Sequence, residues 1–353
     1  MIYYILVFFI SFIVSYMTMP ILIKFANHAT IYANPCERSS HDRSIPNLGG
    51  IGIFLGIVFS ILLLTPNNLF AGLQYILVTQ LIIFFLGLKD DIFVLSAKNK
   101  LIIQIACALI LISLSGARIT NFYGTLGVYE LTEPQSYIFS IITIVGLVNA
   151  FNLIDGINWL AGLISISSAL FLSTWFIING FTIYAGLSLA IIGSVIAFLI
   201  YNKTPAKIFM GDTGSLLLGL TLTFLIIKFI NLNHTTKELQ FQLRSAPAMA
   251  VSIFFIPILD TLRVFFIRIK EKRSPLSPDK NHLHHILLDA NFSHIQAALC
   301  LFVINSICII ISLVLNRYTG KITVPLLFVL TFSIINLIVF SRVKKKTINF
   351  AIS

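Results

Sequence analysis

The chain has 353 residues, of which 58% are apolar and only 10% are charged, with a net charge of +11. Its mean hydropathy is +0.96. A soluble globular chain carries about 25% charged residues, so this composition excludes a cytosolic protein, a disordered chain and a nucleic-acid binder, and indicates a multi-span membrane protein.

A spanning helix needs about 20 mainly apolar residues. In chain order the apolar runs predict spans near 2–25, 48–65, 70–88, 101–115, 136–152, 159–178, 182–201, 213–231, 246–268, 295–316 and 321–341, eleven in all. The first run reads as a span and not as a cleavable signal, because it is long and lacks a small-residue cleavage pattern. The expected fold is an all-α polytopic membrane protein forming one integral-membrane domain, 1–353, with a long cytoplasmic loop at 269–294. Segment 116–135 carries Gly124, Gly127, Pro134 and a β-like run, which predicts a small external β-hairpin. Cys107, Cys300 and Cys308 lie in apolar runs and read as packing residues, whereas Cys36 reads as a free thiol in a polar loop.

Placing the C-terminal Arg342, Lys344, Lys345 and Lys346 on the cytoplasmic side puts most of the 24 Lys and Arg residues in inner loops, as topology rules require. Of the 13 acids, only Glu130, Glu133 and Glu238 then lie outside. Transporters keep ionisable groups near the bilayer midplane. Here the groups gather at one interface, and no internal repeat is visible, so interfacial chemistry is favoured over transport.

Four motifs fall on that inner face. After the third span, Asp90 and Asp91 are adjacent carboxylates followed by Lys98 and Lys100. Both acids stay ionised only beside a cation; a solvated helix end with topology-setting lysines is the plainer account. In "NAFNLIDGINWL", Asn149, Asn152 and Asp155 recur every three residues and share a helix face, although capping of the next helix also accounts for Asn152 and Asp155. In "PAKIFMGDTGSLLLG", Asp212 opens a span beside glycines, suited both to capping and to holding Mg²⁺ on a diphosphate. In the longest inner loop, Arg268, Lys270, Lys272, Arg273 and Lys280 lead to His282, His284 and His285. Such donors suit phosphate and sugar; a zinc site is the rival, but the His-Glu-x-x-His pattern is absent. Two weaker signals are an Asp260–Arg263 pair within the ninth span and the Arg38, His41, Arg43 cluster in loop 26–47.

Taken in order, "IPNLGG", "LGLKDD", "NAFNLIDG", "PAKIFMGDTGSLLLG" and "SPLSPDKNHLHH" resemble the polyprenyl-phosphate N-acetylhexosamine-1-phosphate transferases, the MraY/WecA-like family, and the "HLHH" loop resembles its WecA/TagO-type branch. The resemblance implies Mg²⁺-dependent transfer, with Mn²⁺ as a substitute, of N-acetylglucosamine-1-phosphate or a close sugar phosphate. The donor would be a UDP-N-acetylhexosamine, the acceptor undecaprenyl phosphate, and the released product UMP. It further implies a bacterial plasma-membrane enzyme with a cytoplasmic site, a homodimer, and a role in starting O-antigen, teichoic acid or other envelope glycans.

By motif, Asp212 is the implied Mg²⁺ ligand and Asp90 the implied base on the lipid phosphate, with Asp91 beside it. The resemblance places Asp155, Asn152, Asn158, Asn202, Lys207 and Phe209 at the nucleotide, and Arg273, His282, His284 and His285 at the sugar and diphosphate. The family commonly reads Asp-Gly-x-Asp-Gly-Leu where this chain has Asp155-Gly156-Ile157-Asn158-Trp159-Leu160. A secondary transporter of an anionic or phosphorylated solute is the reading of a different class, and a catalytically inactive scaffold is a third.

Overall fold

The computed structural model describes residues 1–29, 45–70, 72–124, 127–274, 281–317, 324–331 and 333. Long apolar runs become helices because only intrahelical hydrogen bonds satisfy a backbone surrounded by lipid. The helices are α1 (Ile2–Ala29), α2 (Gly49–Leu64), α3 (Asn67–Phe70), α4 (Gln74–Ile92), α5 (Ala97–Ser115), α6 (Glu133–Ile154) and α7 (Leu160–Ile178). They continue with α8 (Thr182–Asn202), α9 (Gly211–Thr235), α10 (Ala246–Ile253), α11 (Phe255–Lys270), α12 (Leu283–Asp289) and α13 (His294–Val314).

The expectation of eleven spans is corrected. Among the described residues seven helices are long and apolar enough to cross a membrane, or eight if α10 and α11 form one bent span. α2 has only 16 residues, and α4 carries Lys89, Asp90 and Asp91 in its last turn. The last expected span, 321–341, falls largely outside the described residues.

The expected β-hairpin is also absent: among the described residues 116–135 holds one isolated bridge, Asn121 to Glu130, and no strand. Asn121 Oδ1 accepts from the Tyr123 amide at 2.6 Å, and Tyr123, Gly124 and Gly127 take positive φ. The backbone therefore turns out of the extended region before a ladder can grow. A capping box of Thr132 and Gln135 then starts α6.

α9 is the most buried of the spans, and α2, α4, α6 and α7 pack around it. Gly87 permits a close approach: a Cβ there would lie 2.4 Å from Thr213 Cα. This contact presses the end of α4 on the start of α9 and brings their carboxylates to one level.

The break between α10 and α11, a bend of 77°, follows from Pro257. Proline has no N–H for the carbonyl four residues back, which is that of Ile253. Two buried side chains replace it: Ser168 Oγ donates to Ile253 O at 3.0 Å and Asn305 Nδ2 at 3.2 Å. Asn305 Oδ1 also accepts from the Ile256 amide at 3.2 Å. The broken span is thus satisfied from α7 and α13, and α11 continues at a new angle, packed against α6 and α13.

Candidate active site

The C-terminal ends of α4, α6 and α8 and the N-terminal ends of α5, α7 and α9 meet at one end of the bundle. Ser96 caps α5, its side chain accepting from the Asn99 amide at 3.3 Å, and the first turns of α5 carry Lys100 inward. Lys100 Nζ donates to Asp90 Oδ2 at 2.5 Å and to Asp212 Oδ2 at 2.7 Å. Asp90 Oδ1 accepts from the Leu95 amide at 2.7 Å. From α6, Asn152 Nδ2 donates to Asp212 Oδ1 at 3.1 Å and to Ser215 Oγ at 2.8 Å. Four helices therefore contribute one side chain each to a single cluster.

Asp91 faces the other way. Its Oδ1 accepts from the Asp212 amide at 2.8 Å, and its Oδ2 from the Thr213 amide at 2.9 Å and Thr213 Oγ1 at 2.5 Å. It caps the N-terminus of α9 from a different helix, satisfying donors that the helix itself cannot. Gly211 makes this possible: its φ is +71°, and a Cβ there would lie 2.6 Å from Asp91 Oδ2.

Asp155 follows the last turn of α6. Among the described residues its carboxylate accepts no hydrogen bond. Burial, and then the charges of Asp212 and Asp91, push its carboxyl up to about 8.

The histidine segment reaches the same end by a route the sequence did not reveal. Asp260 was expected to pair with Arg263 on α11. Instead Asp260 Oδ2 is 2.8 Å from His282 Nδ1, and Asp260 Oδ1 accepts from the Leu283 amide at 2.8 Å, while Arg263 donates to the Asn281 carbonyl. Both side chains of α11 thus bind the incoming segment and not each other. His282 and His284 lie parallel with centroids 5.7 Å apart, and His285 lies 4.4 Å from His284. His284 is buried against Gly156, where a Cβ would fall 2.3 Å from its Nε2, so the imidazole abuts the residue after Asp155. Burial, and then His285, hold the His284 imidazolium down to about 3, leaving the ring neutral.

The nucleotide-type residues form a second group. Asn202 Oδ1 accepts from the Trp159 amide at 2.8 Å and its Nδ2 donates to the Ile208 carbonyl at 2.9 Å, so it holds the loop 203–208 in shape. Asn158 Nδ2 donates to Thr204 Oγ1 at 3.0 Å, and its buried Oδ1 has no partner. Trp159, at φ 74°, ties its indole N–H to the Leu199 carbonyl at 3.0 Å. Phe209 is half-buried; its amide donates to the Pro46 carbonyl and its carbonyl accepts from the Gly49 amide, both at 2.9 Å.

Lys207 is exposed. Arg273 is not brought in: it lies past the end of α11, paired with Glu271 at 2.5 Å on the surface. Residues 275–280, with Lys280, and the Arg38, His41, Arg43 cluster lie outside the described residues.

Lys100 is the site residue that sequence reasoning missed. In the sequence it resembles any lysine at a membrane boundary. The available signal was its place four residues after a capping serine, one turn into the helix that follows the two aspartates.

Among the described residues no three His, Cys, Asp or Glu side chains form a ready metal cage. The donor set nonetheless fits Mg²⁺. Asp90 and Asp212 already share one cationic group, and Mg²⁺ is bound through one or two carboxylates while substrate phosphates and water complete its shell.

Residues 73–230 match the model of glycosyl transferase family 4. The chain is 33% identical over 330 residues to a probable undecaprenyl-phosphate N-acetylglucosaminyl 1-phosphate transferase of Bacillus subtilis, covering 91% of this chain and 88% of the relative. It is 33% identical to a decaprenyl-phosphate N-acetylglucosaminephosphotransferase of Mycobacterium tuberculosis, over 76% of this chain and 72% of that one. It is 31% identical to an undecaprenyl-phosphate alpha-N-acetylglucosaminyl 1-phosphate transferase of Salmonella typhimurium, over 74% and 70% of the two chains. The convergent acids of α4, α6 and α9 and the identity across nearly the whole length agree: the chain belongs to glycosyl transferase family 4, with the polyprenyl-phosphate N-acetylhexosamine-1-phosphate transferases.

Proposed function

We propose that this protein transfers N-acetylglucosamine-1-phosphate from a UDP-sugar to undecaprenyl phosphate at the cytoplasmic face of the plasma membrane, starting a lipid-linked glycan. The observation that carries this reading is the meeting of Asp90, Lys100, Asn152 and Asp212, from four helices, at one end of the bundle. A lipid-soluble acceptor and a water-soluble donor can meet only at such an interface. The activities for which the relatives are named supply the acceptor and the transferred group.

The reaction exchanges one diphosphate linkage for another. A P–O–P bond forms between the lipid phosphate and the sugar-bearing phosphorus, the P–O–P bond of the donor breaks, and UMP leaves with the electron pair. Phosphoryl transfer asks mainly for positioning and charge neutralisation. Mg²⁺, held by Asp212 with Asp90 beside it, would neutralise the diphosphate charge.

Lys100 brings a second positive charge to the same carboxylates and fixes their spacing. Asn152 orients Asp212 by donating to Oδ1, which leaves Oδ2 on the Lys100 side. Asp90 is placed to take a proton from the lipid phosphate. A protonated Asp155 donates a hydrogen bond to a phosphate oxygen instead of repelling it. The neutral His284, with His282 and His285, lines the approach from α12 towards the sugar and its phosphate. Asn158, Asn202 and Phe209 shape the nucleotide pocket, and the unpaired Asn158 Oδ1 awaits a donor there.

The test is purified protein with undecaprenyl phosphate, Mg²⁺ and a panel of UDP-N-acetyl sugars, scored for UMP. UMP should appear only when all three components are present, with UDP-N-acetylglucosamine the best donor. Solute flux into vesicles without UMP would replace this reading with the transporter.

A further inference from the structure

One turn deeper than the carboxylate cluster, α5 and α6 are joined by a two-way amide bridge. Asn149 Nδ2 donates to Gln104 Oε1 at 2.6 Å, and Gln104 Nε2 donates to Asn149 Oδ1 at 3.2 Å. Asn149 Nδ2 also donates to the Val145 carbonyl of its own helix at 2.8 Å. Gln104 is 2% exposed, so neither water nor headgroups can substitute for its partner. Each amide in such a bridge uses both donor and acceptor, which fixes separation and register together.

The spacing gives this bridge a further consequence. Gln104 follows Lys100 by four residues, so the two share one face of α5. Asn149 precedes Asn152 by three and shares its face of α6. Lys100 and Asn152 are the two side chains that hold Asp212, from opposite sides, through Oδ2 and Oδ1. The bridge and the two arms form a closed loop: Gln104 to Lys100 along α5, across Asp212, and from Asn152 to Asn149 along α6.

We infer that Gln104 and Asn149 are paired positioning residues that set the α5–α6 register and thereby hold the Lys100 ammonium and the Asn152 amide on the Asp212 carboxylate. The inference deepens the reaction proposed above and shares its site, but its central claim concerns the placement of Lys100 and is testable without turnover.

Two measurements test it on the full-length protein. The first is amine footprinting of Lys100 by acetic anhydride and mass spectrometry, with the exposed Lys98 as internal reference. Lys100 should react slowly in the unaltered protein and several-fold faster in Gln104→Leu, with Lys98 unchanged. The second is UMP release by Gln104→Leu, Asn149→Leu, the double variant, and the exchanged pair Gln104→Asn with Asn149→Gln, which keeps two amides of the same combined length.

Misplacement of reacting groups by about 1 Å lowers rates by roughly 100-fold, so each single variant should lose about that much in kcat with KM for the donor little changed. The double variant should be no worse than either single one, and the exchanged pair should recover most of the loss. Losses that multiply in the double variant, or Lys100 labelling unaltered in Gln104→Leu, would overturn the inference. A wild-type protein that releases no UMP would sink the transferase reading and leave the footprint to judge the bridge alone.

Discussion

The two ends of the bundle use similar polar residues to different effect. At the end opposite the carboxylates, Lys228 donates to the Ser115 carbonyl at the close of α5, and Asn233 exchanges hydrogen bonds with the backbone of Leu243 at 2.7 and 2.8 Å. Tyr123 Oη donates to the Ile230 carbonyl at 2.9 Å. There these side chains bind mainly backbone groups, at the end of α5, within α9 and in the loop that follows it, as a membrane-embedded fold requires, and Asn233 Nδ2 also donates to Tyr123 Oη at 3.1 Å. At the site end, side chains meet side chains: two carboxylates, an ammonium and an amide from four helices. The far end spends most of its polar side chains on the backbone. The site end holds two carboxylates against each other through one shared ammonium, a concentration of charge that marks functional sites.

The comparison breaks first at Asp212. Asp212→Asn removes the charge that both Lys100 and the metal require, and UMP release should fall about 1,000-fold while the protein stays folded; near-normal turnover would refute its role. Asp91 lies between the two behaviours, because its partners, two backbone amides and the Thr213 hydroxyl, belong to the first turn of the helix that carries Asp212. Asp91→Asn should weaken the cap by about 1 kcal/mol, lower the thermal midpoint, and reduce kcat about tenfold through displacement of Asp212. A rate loss with no thermal shift would show that Asp91 acts on substrate directly.

A smaller effect sharpens the electrostatic contrast. The Asp155 carboxyl, raised from the ordinary 3.8 to about 8, is neutral below that pH and gains a negative charge above it. KM for the UDP-sugar should therefore rise a few-fold, about 3-fold, between pH 7 and 9. Asp155→Asn should give a flat profile over the same range, and an unchanged slope in that variant would assign the effect elsewhere. For folding the sign is the reverse of a paired carboxylate: the folded form binds the extra proton between 3.8 and about 8, so this group's contribution to stability declines as pH rises through that window.

The smallest effect on activity belongs to the far end. Lys228→Met leaves the Ser115 carbonyl unpaired and should reduce stability by about 1–3 kcal/mol, with kcat within twofold of the unaltered protein. A rate loss matching that of Asp212→Asn would dissolve the distinction between the two ends.

Much of the site was legible in the sequence. Asp90, Asn152, Asp155 and Asp212 stood out because carboxylates and amides at the ends of apolar runs need a reason to be there, and the structure gathers all four. What was hidden depended on pairings across distant segments. Lys100 carries no local sign that its partner is Asp212. Asp260 and Arg263 share a helix face by spacing, yet a segment arriving some twenty residues later offers both of them better partners. The span count failed for a related reason: hydropathy registers apolar length, but α2 is short, α4 ends in charges, and Pro257 divides α10 from α11. The β-like composition of 116–135 was real, but two adjacent helices needed linking, and the turn residues bent the segment before a second bridge could form.

The bend at Phe254 has a mechanical consequence. The carboxylates ride on α4 and α9, which pack closely against each other, whereas the histidine segment is tied to α11 through Asp260, which binds His282 and the Leu283 amide. α11 is a half-helix whose far anchor is the Ser168 and Asn305 fastening deep in the bundle. The imidazole wall thus rests on two supports, the redirected half-helix and the turn after α6 where His284 meets Gly156. Its reach towards the acids is therefore set by the direction in which that buried fastening aims α11.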